Sequence, residues 1–160
     1  MPKPGTESAP PAAYDVGLRL LARREHSRAE LVLKLTQRGI ARADIACALD
    51  RLQAMDALNE SRFAEQFTRM RLRQGYGPAR IRGDLTARGV DAEIIAAQLV
   101  GEEADDAHGL ARAEAARRRR FGEAVPGEYA ERARQARFLE RRGYSAAHIA
   151  RVLRGEAREP

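Results

Sequence analysis

Arginine is the residue whose type and spacing most directly suggest chemistry in this sequence. Between Ser61 and Arg88 there are seven arginines against two acidic residues. Arg62, Arg69 and Arg73 fall at i, i+7 and i+11, on a helix face away from Phe63, Phe67 and Met70. Arg80 and Arg82 follow at the start of the next helical segment. A second cluster is the run "RRRRF", in which Arg117, Arg118, Arg119 and Arg120 precede Phe121. A guanidinium pairs bidentately with carboxylate or phosphate. These arginines are therefore the candidate residues for holding an acidic protein surface or a nucleic-acid backbone. A charge run is also commonly a solvated face, and for the second cluster that reading stands beside the first.

Nothing else in the sequence assembles into a reactive constellation. The histidines, His26, His108 and His148, lie far apart and none has a partner at i+4, so neither a metal site nor a catalytic triad is expected. There is no HExxH and no Walker-type phosphate loop. The stretch "GYGPARIRGDL" puts Gly75, Gly77 and Gly83 beside Arg80 and Arg82, a combination that can cradle phosphate. It lacks the preceding strand and the GK[ST] of a nucleotide loop, so the favoured reading is a helix break followed by a basic helix start. Cys47 is the sole cysteine, which excludes an intrachain disulfide and a cysteine-based metal cluster; it is expected to be a small buried apolar residue. No catalytic, cofactor or metal site is expected, and the protein reads as a non-enzyme.

The elements that position these arginines follow from composition and pattern. The chain has 160 residues, a formal net charge of +6 and 44% hydrophobic residues, but only 5% aromatics and no Trp. Its core must be built from Leu, Ile, Val and Ala, which with Arg and Glu favour helices. Lys3 and Lys34 are the only lysines. An arginine preference also arises in GC-rich genomes, so charge alone identifies no partner. No apolar run reaches the roughly 18 residues of a membrane span. The opening "MPKPGTESAPPAA" has no signal-peptide core; its Pro, Gly and Ser content suggests a disordered tail to about Ala12. A reduced, cytoplasmic setting and a monomer are expected.

A repeat organises the rest. "LTQRGI" (35–40), "LTARGV" (85–90) and "LERRGY" (139–144) share Leu, Arg and Gly in register, with Gly39, Gly89 and Gly143 spaced 50 and 54 residues apart. Ile follows at Gly+6 (Ile45, Ile95, Ile149), Ala at Gly+7 and Leu at Gly+10 (Leu49, Leu99, Leu153). The pattern reads as a helix that ends on a left-handed glycine, with the next apolar residue folding back on the Leu and a second helix beginning at once. Arg before each Gly complements the helix dipole. Asp91 and Ser145 are N-cap candidates for the following helices.

Each corner has a helix before it. In the first copy this helix runs from Tyr14 to Arg24 with Leu18, Leu21 and Ala22, and "SRAE" then offers a capping box of Ser27 and Glu30. In the second, Asn59 caps "ESRFAEQFTRMRLRQ", with Phe63, Phe67 and Met70 on one apolar stripe, and Pro78 opens the next helix. In the third, "DDAHGLARAEAARRRRF" precedes a break and a helix from about Glu128 to Arg142. The expectation is an all-α protein of three tandem three-helix repeats forming an elongated, curved rod. The expected boundaries are a tail over 1–12, repeats over 13–58, 59–101 and 102–155, and a C-terminal tail over 156–160.

With these residues in place, the sequence resembles the RecX family of bacterial regulatory proteins over roughly Tyr14 to Arg154. The most specific part is "ESRFAEQFTRMRLRQGYGPARIRGDLTARGV"; "LARREHSRAELVLKL" resembles the family's opening repeat, and "FGEAVPGEYAERARQARFLERRGY" fits more loosely. The resemblance implies a protein that binds the RecA recombinase filament and inhibits its growth, strand exchange and ATP hydrolysis. It implies a helical rod lying in the filament groove, with single- or double-stranded DNA as a further contact and no membrane partner. A direct nucleic-acid-binding protein is the alternative, kept open by the helix-turn-helix corners and a sequence pI near 10.2. Against base-specific reading, "IACALDRL" and "IIAAQLV" offer few side chains for base edges. A plain helical scaffold is a third class.

Overall fold

The structure, a computed structural model, describes residues 12–157; the expected N-terminal tail lies outside these, apart from Ala12, as do residues 158–160. The described residues form nine helices and no strand. They are α1 (Ala13–Leu21), α2 (Arg28–Thr36), α3 (Arg42–Ala54), α4 (Glu60–Arg73), α5 (Pro78–Thr86), α6 (Ala92–Ala104), α7 (Asp106–Phe121), α8 (Tyr129–Arg142) and α9 (Ala146–Arg154). The chain divides into two compact units, Met1–Phe63 and Ala64–Pro160, the line falling within α4.

The repeated corners share one hydrogen-bond pattern. After α2, the amide of Ile40 donates to the Leu35 carbonyl at 3.3 Å and that of Gly39 to Thr36 at 2.9 Å. After α5, Val90 donates to Leu85 at 3.2 Å and Gly89 to Thr86 at 2.9 Å; after α8, Tyr144 donates to Leu139 at 3.2 Å and Gly143 to Glu140 at 2.9 Å. This is the Schellman cap, and it requires φ > 0 at the glycine, found at +75°, +72° and +88°. The leucine and the residue after the glycine are buried in all three copies. In the first two corners the preceding arginine caps its own helix, Arg38 Nη1 donating to Lys34 O at 2.8 Å and Arg88 Nη1 to Asp84 O at 2.9 Å.

Helix starts follow the sequence signals with one exception. Ser27 Oγ accepts from the Glu30 amide, Asn59 Oδ1 from Arg62, and Ser145 Oγ from His148. Asp91 occupies the N-cap position of α6 in extended geometry, but its side chain makes no capping bond.

In the first unit, α1 and α2 pack on α3 around Leu31, Leu35, Ile45, Leu49 and Leu52. The buried positions of α1 are Ala13, Val16 and Gly17; of the residues read from sequence, Leu21 packs half-buried against the core, whereas Leu18 and Ala22 are exposed. Cys47 is exposed, correcting the expectation of a buried residue: it sits between the buried positions Ile45 and Ala48, on the outer side of α3. In the second unit, α5 packs on α6, α6 on α7, and α7, α8 and α9 on one another. Phe63 and Phe67 are buried, but Met70 is 39% exposed, so the apolar stripe of α4 ends a turn earlier than its spacing suggests. In α9 the fully buried residue is Val152, whereas Ile149 and Leu153 are half-buried, a rotation from the first two copies.

Candidate functional site

The glycine-rich stretch of the second repeat is a joint. α4 ends on Gly75 at φ +80° in a further Schellman cap, Tyr76 donating to Arg71 O at 3.1 Å. Gly77, at the N-cap of α5, donates its amide to Arg142 O at 2.7 Å, and Ala79 donates to Gly143 O at 3.3 Å. The N-terminal amides of α5 thus have backbone acceptors from the third corner, where a phosphate cradle would need them open. A Cβ at Gly77 would lie 2.7 Å from the Gly143 carbonyl carbon, so the approach requires glycine. Tyr144 completes the joint. Its buried hydroxyl has two carbonyl acceptors in reach, Gly75 O at 3.1 Å and Arg112 O at 3.3 Å, and burial raises its pKa above the ordinary tyrosine value.

The arginines singled out by sequence fall into distinct environments. In the first unit, Arg62 donates to Glu25 Oε1 at 2.5 Å and to Asp56 Oδ2 at 3.0 Å; the Glu25 carboxylate is the main cause of its raised pKa. In the second unit, Arg69 pairs with Glu65, Arg80 with Asp84 at 3.1 Å and Arg82 with Glu103 at 2.7 Å. Asp84 also takes Arg71, whose Nε donates to Oδ2 at 3.0 Å, so two guanidiniums share one carboxylate. Arg73 is exposed.

The "RRRR" run divides. Arg117 points inward with no exposed surface, its guanidinium bidentate on Glu114 at 2.9 and 3.0 Å and donating to Ala124 O at 2.9 Å and Glu123 O at 3.2 Å. It therefore cannot reach a partner; it ties the loop after α7 to the helix. Arg118 pairs with Glu123 at 2.5 Å, which raises its pKa. Arg119 and Arg120 are exposed. Among the described residues, no carboxylate lies within ion-pair distance of Arg73, Arg119, Arg120, Arg137, Arg141 or Arg142.

Sequence reading missed Arg141 and Arg142, the end of α8. Unlike its counterparts Arg38 and Arg88, Arg142 leaves its own helix and donates to Gln74 O at 2.7 Å. Its guanidinium lies over the Tyr76 ring at 4.5 Å and the Phe138 ring at 5.1 Å. Arg71 also lies over Tyr76, at 3.8 Å, and Phe138 meets Phe121 edge-to-face at 5.2 Å. The result is an arginine–aromatic ladder running through the second unit, each contact favourable by electrostatic attraction to the ring face. The available signal was the aromatic content, since most of the few aromatic residues lie within reach of an arginine. The second unit therefore has a positively charged surface on helix ends. Among the described residues, no group of three or more His, Cys, Asp or Glu is placed to hold a metal ion, and no helix is long and apolar enough to cross a membrane.

Comparison with known proteins gives three family-model matches in chain order: "RecX, first three-helix domain" over residues 13–52, "RecX, second three-helix domain" over 59–99 and "RecX, third three-helix domain" over 106–153. A regulatory protein RecX of Halorhodospira halophila is 45% identical over 142 residues, covering 89% of this chain and 86% of that protein. One from Pseudomonas entomophila is 45% identical over 146 residues, covering 91% of this chain and 92% of that protein. Among solved structures, RecX from Lactobacillus salivarius matches with a TM-score of 0.72 at 20% identity, covering 89% of this chain and 93% of that one. A second crystal structure of a regulatory protein RecX gives 0.74 at 18% identity, covering 88% of this chain and 70% of that one. At such identities the structural likeness speaks for the fold alone.

Proposed function

This chain belongs to the RecX family, and on that premise we propose that it binds the RecA recombinase filament and inhibits its recombinase and ATPase activities, so modulating DNA recombination and repair in the cytoplasm. The observation that carries this reading is the unbroken match of all three repeats, in order, to a family whose members are named regulatory proteins. The site chemistry supports it. Its surface arginines suit acidic protein groups. We assign the partner surface to the arginines of the second and third repeats: Arg69, Arg73, Arg80 and Arg82, together with Arg118, Arg119 and Arg120.

Direct nucleic-acid binding without RecA is the competing reading, favoured by the unpaired arginines on the second unit. It predicts affinity for DNA alone that falls steeply with salt. Co-sedimentation with RecA filaments on single-stranded DNA, at about 150 mM salt where exposed charges are screened, separates the two. The protein should pellet with filaments and stay in solution with DNA alone. Reversing the charge of Arg69, Arg73, Arg80 and Arg82 together should release it; retention by that variant would exclude these four from the interface.

A further inference from the structure

Two shallow crevices flank the side chains of Phe138 and Arg142. One, of about 240 Å³, is lined by Tyr76, Arg80, Phe138, Arg141 and Arg142. The other, of about 100 Å³, shares Phe138 and Arg142 and is otherwise lined by Gln74, Ala116, Arg119 and Arg120. Their linings mix polar and apolar surface: Ala116 is buried, Tyr76 and Phe138 are half-buried, and arginine side chains supply most of the rest. Their rims are cationic, and Arg119, Arg120 and Arg141 face solvent with no carboxylate in reach among the described residues. Exposed arginines elsewhere on the unit, such as Arg69, Arg82 and Arg134, are matched by Glu65, Glu103 and Glu131. Of the arginines without a carboxylate in reach, Arg119, Arg120, Arg141 and Arg142 line the crevices beside Phe138, while Arg73 and Arg137 lie outside them.

We propose that this recess is a docking site for an acidic linear segment of a protein partner, an apolar side chain of that segment entering beside Phe138 while flanking carboxylates pair with Arg119, Arg120 and Arg141. The inference deepens the regulatory reading, on which it rests, by naming the chemistry of what is held. Three features favour a peptide over a nucleic-acid strand. Arg71 and Arg142 already cover the Tyr76 ring, at 3.8 and 4.5 Å, so the ring is not open as a platform for bases. A phosphodiester backbone offers no apolar group to pack beside Phe138 and Ala116. The α5 amides that would hold a phosphate are bonded to Arg142 O and Gly143 O. Arginine is among the residues that most often carry the binding energy of a protein interface. Arg142, held by Gln74 O and two rings, is fixed before any partner arrives, which lowers the entropy cost of binding.

The test is fluorescence anisotropy of the full chain with a short labelled peptide of aspartates around one phenylalanine, without RecA. Saturable binding is expected, weakened by about tenfold or more in Arg141→Glu and in Arg119→Glu, as for loss of a charge-assisted bond. Arg137→Glu, on α8 but outside both crevices, should bind like the parent protein. Replacing the phenylalanine of the peptide by serine should weaken binding comparably, and an oligothymidylate of equal charge should compete poorly. No peptide binding, equal binding of the serine peptide, or displacement by oligothymidylate at equal concentration would each overturn the proposal. RecA ATP hydrolysis measured in parallel keeps the two readings apart. Inhibition by a protein that ignores the peptide sinks this inference alone; peptide binding without inhibition sinks the RecA reading alone.

Discussion

Arg117 carries a guanidinium into a site with no solvent exposure, where Glu114, two loop carbonyls and Gln135 receive its donors. Removing Arg117 leaves the buried Glu114 carboxylate without its bidentate donor. Arg117→Ala should therefore cost about 3–5 kcal/mol, whereas replacing Arg117 and Glu114 together by Met and Leu should cost less than the single change. Urea denaturation of the three proteins measures both. His26 is the second residue with a calculable effect. It is buried, its Nδ1 lies 3.0 Å from Arg24 O, and burial is the main cause of a lowered pKa. The unfolded chain thus binds more protons than the folded one below the ordinary histidine value of about 6.5. Stability held above that pH should decline as the solution is acidified from about 7.5 to 5.5, and His26→Gln should flatten the slope. An unchanged slope would place the titrating group elsewhere. Neither residue's role was legible in sequence: Arg117 is one of four identical neighbours, and only the packing of α7 through Ala113 and Ala116 decides which turns inward.

At the scale of elements, the corner was legible because its chemistry is local. A leucine, a left-handed glycine and an apolar follower specify the same two hydrogen bonds in three places. What the sequence could not show is that the third corner does a second task. Gly39 has open space where a Cβ would go, so alanine there should cost about 1–2 kcal/mol, the penalty of a left-handed non-glycine residue. At Gly143 the added atom would collide with the Arg80 backbone nitrogen. Gly143→Ala should lose clearly more stability than Gly39→Ala, and Tyr144→Phe should weaken the same joint through loss of the bond to Gly75 or Arg112. Equal midpoints for the Gly39 and Gly143 variants in urea would contradict the joint. The glycine pair at the joint escaped sequence reading because its partners lie 66 residues apart, from Gly77 to Gly143. Local pattern identifies a helix break there but not what docks on it.

For the whole molecule, family and fold class were readable from the tandem repeat, which is independent of distant contacts. The partner surface was readable only in outline. Charge counting ranked the middle repeat first, yet Arg62, Arg69, Arg80 and Arg82 each meet a carboxylate in the folded chain. Exposed pairs of this kind contribute little to stability, so these arginines can exchange an internal carboxylate for a partner's at small cost. Unmatched charge is found instead on Arg73 and on the ends of α7 and α8, which sequence order alone does not bring together. Reversal of Arg119 and Arg141 should therefore weaken action on RecA more than reversal of Arg69 and Arg82, as read by the concentration giving half-maximal inhibition. The most direct test of the account is ATP hydrolysis by the cognate RecA on single-stranded DNA, titrated with this protein. The account predicts inhibition that is already strong well below one copy per RecA. Undiminished hydrolysis at equimolar protein, accompanied by tight salt-sensitive binding to DNA alone, would contradict it.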